Sequence, residues 1–460
     1  MGAGPAAVTE MAALEPGRRI VAVAVVLSSM ALVVLDAGLV HVALPTIAGT
    51  LRASPGSAVL IVTAYQAALL MALLPCGALG ERYGYRTVFG WGVCVFVLGS
   101  LFCALSPSLF WLAAARFLQG LGGAAIMATA VALLRFTVPA GRLGAAIGWN
   151  AITIALCSAA GPAVGALVLS RAGWQWLFAV NLPIGAGILL ALRALPPTPR
   201  RGGPIDLAAV ALNAAVFAAL IVGAEVLPVS PIATAGLLIA GALLLIKLVR
   251  REQSRATPLL PLDLLRQPAF RTAVVASICC FTGQTAALIA LPFHLHQLGL
   301  TPLETGLYLA AWPLTVAATA TVVARFADGT ASGALCAVGG ACLSAGLAAA
   351  ALWPLEGDPR ALIPMMAVCG LGFGLFQTPN NRTLFLAAPP ERSGAAGGMQ
   401  GVARLSGQTA GAVLVTLVFA TTAVELTPRT AFAAGAALTL VAGLVSLLRV
   451  GARRAGAASA

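Results

Sequence analysis

The chain has 460 residues, of which 60% are hydrophobic and only 9% are charged, and its mean hydropathy is +0.98. Soluble proteins carry about 25% charged residues, so this chain could not cover a surface that faces water. A formal charge of +13 could suggest a nucleic-acid partner, but the basic residues lie in short gaps between apolar runs. The composition therefore excludes a soluble protein and a nucleic-acid binder, and it indicates a protein surrounded by a lipid bilayer.

Fourteen apolar stretches are each long enough for a membrane-crossing helix, which needs about 20 residues. The first stretch is longer than the apolar region of a cleavable signal peptide, about 7–15 residues, so we expect it to remain as a span. The predicted spans cover residues 20–43, 57–79, 88–106, 109–134, 143–169, 175–194, 207–227, 231–249, 272–297, 302–324, 331–353, 361–385, 394–421 and 430–449.

Two polar segments divide these spans into three groups. Residues 196–206 are rich in proline, residues 250–271 are polar and basic, and together they bracket the seventh and eighth spans. We therefore predict an all-α membrane protein with three parts. These are an N-terminal six-helix bundle over residues 1–195, two inserted membrane helices with their linkers over 196–270, and a C-terminal six-helix bundle over 271–460.

The two sets of six spans resemble each other in the order of their small residues. The fourth span contains Gly120-Leu121-Gly122 and the twelfth contains Gly370-Leu371-Gly372. Small residues allow two helices to approach closely within a membrane. This agreement indicates a duplicated unit, and repeated halves place a binding site between them near the middle of the bilayer.

The basic residues indicate how the chain is oriented. Of the 27 lysine and arginine residues, 21 fall on the side of the N-terminus, four fall on the other side, and Arg116 and Arg404 lie within spans. Positive residues accumulate in cytoplasmic loops, so we expect both termini to lie in the cytoplasm and the protein to lie in the cell membrane. One missed span would move later loops to the wrong side and remove this bias.

Five short segments carry a resemblance to a known family. They are residues 35–45 (LDAGLVHVALP), 77–86 (GALGERYGYR), 116–120 (RFLQG), 161–165 (GPAVG) and 174–183 (WQWLFAVNLP). They resemble motifs of the major facilitator superfamily, specifically of its fourteen-span drug:proton antiporters. The resemblance implies the major facilitator fold and the proton-coupled export of drugs or antibiotics by alternating access. The chain departs from the family pattern at Gly38, His41 and Glu81, where Thr, Asn and Asp are usual.

Asp36 is the only acidic residue well inside a predicted span. A charge there costs about 2.5–3.5 kcal/mol, so the residue is a candidate for function. A carboxylate that faces a cavity can alternate between a protonated and a charged form. The resemblance places Arg116 toward the same cavity, and two lone charges in one apolar bundle tend to pair. We therefore predict that Asp36 and Arg116 couple protons to transport; the alternative is a purely structural ion pair.

Two segments are predicted to act in gating. Glu81 lies in a predicted turn of two or three residues, and its carboxylate is expected to face the positive N-terminus of the thirteenth span at Ser393. The alternative is ordinary anchoring by the nearby arginines. Pro162 removes a backbone donor and bends the fifth span, while its glycine neighbours allow close packing that would seal the bundle. The predicted gating residues are Gly77, Glu81, Arg82, Gly84, Arg86, Gly161, Pro162 and Gly165.

Polar residues within the spans are candidates for a substrate cavity, although an amide there is as well explained by a bond between helices. These candidates are Gln119, Asn150, Gln284, Gln377 and Arg404. Few fixed charges favour an apolar or cationic small organic substrate, and a dedicated exporter of one metabolite stays open. No acid–histidine cluster, nucleophile motif, phosphate loop or Cys-x-x-Cys pair argues for a membrane enzyme, a metal or a cofactor. A receptor would leave Asp36 unexplained, and the chain is compatible with a monomer.

Overall fold

The structure is a computed structural model that describes residues 15–200, 206–227, 229–253, 262–326, 332–354, 357–389 and 392–458. Within these ranges every regular element is a helix, and 14 helical segments are long and apolar enough to cross a membrane. The predicted number of spans is therefore confirmed. Most of the helices are longer than the predicted spans because they continue beyond the apolar core at one or both ends. The sixth, seventh and eleventh helices are one or two residues shorter than predicted.

We label the spans α1 to α14 in chain order. In the first half and the inserted pair they are α1 (Pro16–Thr50), α2 (Pro55–Tyr83), α3 (Tyr85–Ala104), α4 (Leu109–Thr137), α5 (Ala140–Leu169), α6 (Trp176–Ala194), α7 (Leu207–Glu225) and α8 (Pro231–Gln253). In the second half they are α9 (Pro268–Gln297), α10 (Pro302–Phe326), α11 (Ser332–Leu352), α12 (Pro359–Leu386), α13 (Ser393–Thr421) and α14 (Thr427–Ala458).

The same helix pairs form in both sets of six. Helix α1 packs against α5, and α4 packs against α2 and α3; correspondingly, α9 packs against α13, and α12 packs against α10 and α11. The glycines of the predicted repeat lie at equivalent contacts. A β-carbon added at Gly122 would lie 2.4 Å from the backbone nitrogen of Phe96, and one added at Gly372 would lie 2.4 Å from that of Leu343. The fold is therefore two six-helix bundles with two additional spans between them, as the resemblance implied.

Close contacts at glycine positions join the two halves. We call the side where α1 begins the terminal side and the other the opposite side. On the opposite side α5 meets α10, where a β-carbon added at Gly306 would lie 2.7 Å from the carbonyl oxygen of Pro162. Nearby, a β-carbon added at Gly56 of α2 would lie 3.0 Å from the β-carbon of Phe419 of α13. These contacts join the halves through positions where a glycine leaves room.

The inserted pair lies against the boundary between the halves. Helices α7 and α8 pack on each other, and α7 also contacts α2 of the first half and α13 of the second. The amide nitrogen of Asn213 donates to the carbonyl oxygen of Met71 on α2 at 2.9 Å. At the other end of α7, Glu225 accepts a hydrogen bond of 3.5 Å from Thr416 on α13. The inserted pair therefore contacts both halves through α7.

Candidate functional site

The first half encloses a polar network centred on Asp36 of α1. Asp36 is 0% exposed, and its Oδ2 forms an ion pair with Nη1 of Arg116 on α4. Its Oδ1 accepts one hydrogen bond from Nε2 of Gln119 and another from Nδ2 of Asn181 on α6, each of 2.8 Å. Three spans therefore converge on one carboxylate, and the predicted pairing of Asp36 with Arg116 is present in the structure.

A second layer fixes the orientation of the amides. Nε2 of Gln119 also donates to the hydroxyl oxygen of Ser100 on α3 at 2.8 Å, and Nδ2 of Asn181 donates to the same oxygen at 3.3 Å. The Ser100 hydroxyl in turn donates to the carbonyl oxygen of Phe96 at 2.9 Å. The carbonyl oxygen of the Gln119 side chain accepts from Arg116. Because each group has a partner of the correct polarity, the network holds its geometry within an apolar bundle.

The guanidinium of Arg116 is buried away from water, and other protein groups take the place of its water contacts. Its side chain is 1% exposed, and its Cζ lies 4.0 Å from the centre of the Tyr65 ring and 5.7 Å from that of Phe178. Its Nε donates to the carbonyl oxygen of Ile61 at 3.4 Å. A guanidinium between aromatic faces and a carboxylate replaces water with favourable electrostatic contacts.

Small residues bring these helices close enough for the network to form. A β-carbon added at Gly120 would lie 2.5 Å from the carbonyl oxygen of Tyr65, so α4 lies directly against α2. On the other flank, a β-carbon added at Gly161 would lie 3.1 Å from Cα of Gly38, so α5 lies directly against α1. Glycine at position 38, where the resembling family usually has threonine, therefore permits this backbone contact.

The enclosure of Asp36 differs from the expectation that its carboxylate faces a cavity. In this conformation donors from α4 and α6 surround it, and no part of its surface is exposed. Arg116, Gln119 and Asn181 all donate, so the pocket is complementary to a carboxylate and not to a carboxylic acid, whose added hydrogen would meet a donor. Uptake of a proton at Asp36 therefore requires this network to open.

The α2–α3 connection is shorter than predicted. Helix α2 continues through Glu81 and Arg82, and α3 begins immediately after Gly84, whose φ of +93° is a backbone conformation that favours glycine. The backbone nitrogen of Arg86 donates to the Thr198 hydroxyl at 3.4 Å, which ties the connection to the segment after α6. The predicted turn of two or three residues is therefore a single glycine.

Glu81 lies in the last turn of α2. Glu81 is exposed, and it makes no hydrogen bond or ion pair with any residue that the structure describes. The predicted contact of this carboxylate with the helix N-terminus at Ser393 stays a prediction. Gly77, one turn earlier, has open space where a β-carbon would stand.

The Gly-Pro segment of α5 lies where two sets of helices meet. Gly161 and Gly165 contact α1, where a β-carbon at Gly165 would lie 3.1 Å from Cα of Leu39. Pro162 contacts both Gly38 of α1 and, through its carbonyl oxygen, Gly306 of α10 in the other half. One short segment thus packs within its own half and closes the boundary with the second.

The remaining predicted cavity residues do not join the Asp36 network. Asn150 is 6% exposed, and its carbonyl oxygen has no partner among the described residues. Gln284 and Gln377 are half-buried, and the described part of the chain offers their side chains no hydrogen bond. Arg404 is half-buried, and its Nε has no acceptor within the described residues.

Sequence reasoning missed three residues of the site. Asn181 belongs to one of the segments that carry the family resemblance, so its position in that segment was the available signal. Ser100 is one of many hydroxyl residues in the spans, and Tyr65 is an aromatic residue in an apolar span whose ring covers Arg116. Only the packing of α2, α3 and α6 around α4 identifies these residues.

Comparisons with known proteins agree on the family. The model of the Major Facilitator Superfamily matches residues 26–412. The chain is 41% identical to "Uncharacterized transporter YebQ" of Escherichia coli (strain K12), over 93% of this chain and 95% of that protein. It is 30% identical to the "Tetracenomycin C resistance and export protein" of Streptomyces glaucescens, over 90% and 78% of the two chains. It is 32% identical to the "Methylenomycin A resistance protein" of Streptomyces coelicolor, over 88% of each.

A solved structure extends the agreement to the whole fold. A POT family transporter in complex with 5-aminolevulinic acid superposes with a TM-score of 0.73, covering 93% of this chain and 95% of that chain at 15% identity. At this identity the likeness concerns the fold alone.

Proposed function

Because the chain belongs to the major facilitator superfamily and is a membrane transporter, we propose that it exports small organic molecules from the cytoplasm in exchange for protons. Two relatives named for antibiotic resistance or export support the direction of transport. The excess of basic residues on the terminal side supports a cytoplasmic position for both termini. We take residues 1–195 and 271–460 as the two halves that move, with 196–270 as the inserted pair.

The chemistry around Asp36 carries the proposal for proton coupling. Three donors, one of which is the Arg116 cation, stabilise the charged carboxylate, and they also hold α4 and α6 against α1. A proton on Asp36 removes the counter-ion of Arg116 and places a hydrogen against a donor. The closed network then loses its main electrostatic stabilisation, so protonation favours a conformation in which these spans separate.

The boundary at Pro162 supplies an element that can open in response. Helix α5 contacts α1, which bears Asp36, and also contacts α10 of the other half. Because α5 touches both helices, a shift of α1 relative to α4 is transmitted by α5 to the contact between Pro162 and Gly306. The proton reaches Asp36 from outside as this contact opens, and the substrate is released outside the cell. The closed network re-forms only when the proton has left to the cytoplasm, so a proton enters as the substrate leaves.

Substitution of Asp36 tests the proposal. In a host that lacks its own efflux pumps, Asp36→Asn is expected to abolish uncoupler-sensitive drug export across a susceptibility panel, with export compared at equal amounts of protein in the membrane. Asp206→Asn is the matched control, because this acid caps the beginning of α7 and pairs with Arg251 outside the network. Wild-type protection by Asp36→Asn, or equal loss in both variants, would refute proton coupling at Asp36.

A further inference from the structure

Arg404 lies on α13, a helix of the second half that also contacts the first half. Three residues before it, Gly401 packs on α2, where a β-carbon would lie 2.9 Å from the Leu73 side chain. Three residues after it, Gly407 packs on α9, where a β-carbon would lie 2.7 Å from the carbonyl oxygen of Ile278. Successive residues of a helix are rotated by about 100°, so Arg404 lies between these two faces. It therefore points toward the region enclosed by α2 of the first half and α9 of the second.

This cation has no counter-ion among the residues that the structure describes. Its Nε is buried without an acceptor, and the guanidinium forms no ion pair in the described part of the chain. Asp36, the acid in the middle of a span, is already paired with Arg116. The other described acids of the spans lie in first or last turns, as Glu225 does at the end of α7.

The sign of the charge in this interior is the same in either protonation state of Asp36. With Asp36 charged, its pair with Arg116 is neutral and Arg404 leaves an excess of one positive charge. With Asp36 protonated, both arginines are uncompensated. An organic cation would therefore meet repulsion in both states, whereas an anion would meet a guanidinium whose Nε is buried without a partner among the described residues.

A second donor without a partner lies on the other half. Tyr65 of α2 is 2% exposed, and its hydroxyl has no hydrogen-bond partner within the described residues. The hydroxyl packs against Gly123 of α4, where an added β-carbon would lie 3.1 Å from it. Tyr65 is also within electrostatic range of Arg404. One unsatisfied donor from each half therefore borders the same interior.

We propose that the substrate carries an acidic group, such as a carboxylate, and that Arg404 binds this group with Tyr65 as a second donor. The inference rests on the export function proposed above and replaces the cationic substrate class expected from the sequence with an anionic one. Arg404 and Tyr65 belong to different halves, so a bound anion would connect the two. Export of an anion against an entering proton moves positive charge inward, so a potential that is negative inside drives it as well.

Binding to the purified full-length protein tests the inference without a proton gradient. The probes are built on three ring systems: naphthalene, indole and biphenyl. Each ring system is tested in three forms, which carry a carboxylate, a primary amide or an ammonium group. Affinity is measured by the quenching of intrinsic tryptophan fluorescence and by thermal stabilisation. We expect at least one carboxylate to bind about tenfold or more tightly than its amide and its ammonium counterpart, as for charge-assisted bonds to arginine.

Three variants test which residues cause the preference for the carboxylate. Arg404→Gln is expected to abolish the preference for the carboxylate, Arg404→Lys to retain part of it, and Tyr65→Phe to weaken carboxylate binding about fivefold, the value of one hydrogen bond. Arg449→Gln is the control, because this half-buried arginine of the same half bonds Ser446 at the end of α14.

Three outcomes would overturn the inference: no carboxylate binds, the ammonium members bind most tightly, or Arg404→Gln keeps the preference. Failure of proton coupling in the Asp36→Asn test would leave this binding result unchanged, so the two failures are distinguishable.

Discussion

The pair formed by Asp36 and Arg116 makes a quantitative prediction for stability. Both side chains are 1% exposed, so water does not screen their interaction. Removing one member of a buried ion pair leaves an uncompensated charge and costs about 3–5 kcal/mol. Asp36→Asn also replaces one acceptor oxygen with a donor group, which then faces Arg116 or the amides of Gln119 and Asn181. We therefore expect Asp36→Asn and Arg116→Gln each to lower the free energy of unfolding by about this amount.

The double variant separates the ion pair from a general loss of packing. Asp36→Asn/Arg116→Gln removes both charges, so it should be less destabilised than the sum of the single variants by about 2–3 kcal/mol. Equilibrium unfolding of the purified protein in mixed micelles, followed by circular dichroism, measures the three differences. Ser29→Ala, a buried change on α1 outside the network, is the control for detergent effects. Single variants whose costs add within about 0.5 kcal/mol would refute the reasoning, because uncoupled residues behave in that way.

Three further predictions follow from single positions. Gly306→Ala should impair export without loss of expression, because its β-carbon would lie 2.3 Å from Ala166 at the boundary of the halves. Gly77 belongs to the gating residues predicted from the sequence, but a β-carbon there meets open space, so Gly77→Ala should retain wild-type export in the same assay. Gly84→Ala should destabilise the protein by about 1–2 kcal/mol in chemical unfolding, because the backbone there has a φ of +93°. Glu81→Gln should change stability by less than about 0.5 kcal/mol, since the carboxylate is exposed and has no partner among the described residues.

Each of these predictions has an opposite result that counts against it. Equal export by the Gly306 and Gly77 variants would show that the contact with α5 does not limit the transport cycle. A Gly84 variant as stable as the wild type would show that the connection relaxes without cost. A clear loss of stability in the Glu81 variant would show that this carboxylate has a partner in the resting protein. Loss of export at unchanged stability would instead support the predicted contact with α13 in another conformation.

The number of spans was predictable because the bilayer imposes one length on every crossing helix. The central ion pair was predictable for a related reason, since charges inside spans are costly and Asp36 and Arg116 are among the few present. The family resemblance added the order of the halves and the gating segments. These predictions depend on features that are rare in an apolar sequence, so each of them stands out against its surroundings.

The rest of the site depends on packing that the sequence does not specify locally. Asn181 and Ser100 are ordinary polar residues until α3 and α6 place them beside Asp36. The enclosure of Asp36 follows from three helices at once, so reading one helix at a time could not exclude a carboxylate open to a cavity. Arg404 was visible as a cation within a span, but its lack of a counter-ion is a property of the assembled halves.

The central claim is that protonation of Asp36 opens the closed network and separates the halves on the opposite side. Spin labels at the exposed positions Val164 on α5 and Leu307 on α10, in a variant without the nine native cysteines, report this separation directly. Their distance distribution is measured by electron paramagnetic resonance at high and low pH. We expect the labels to move apart at low pH in the protein that retains Asp36, and to show one pH-independent, separated distribution in Asp36→Asn. A pH-dependent separation that persists in Asp36→Asn, or no separation in either protein, would contradict the account.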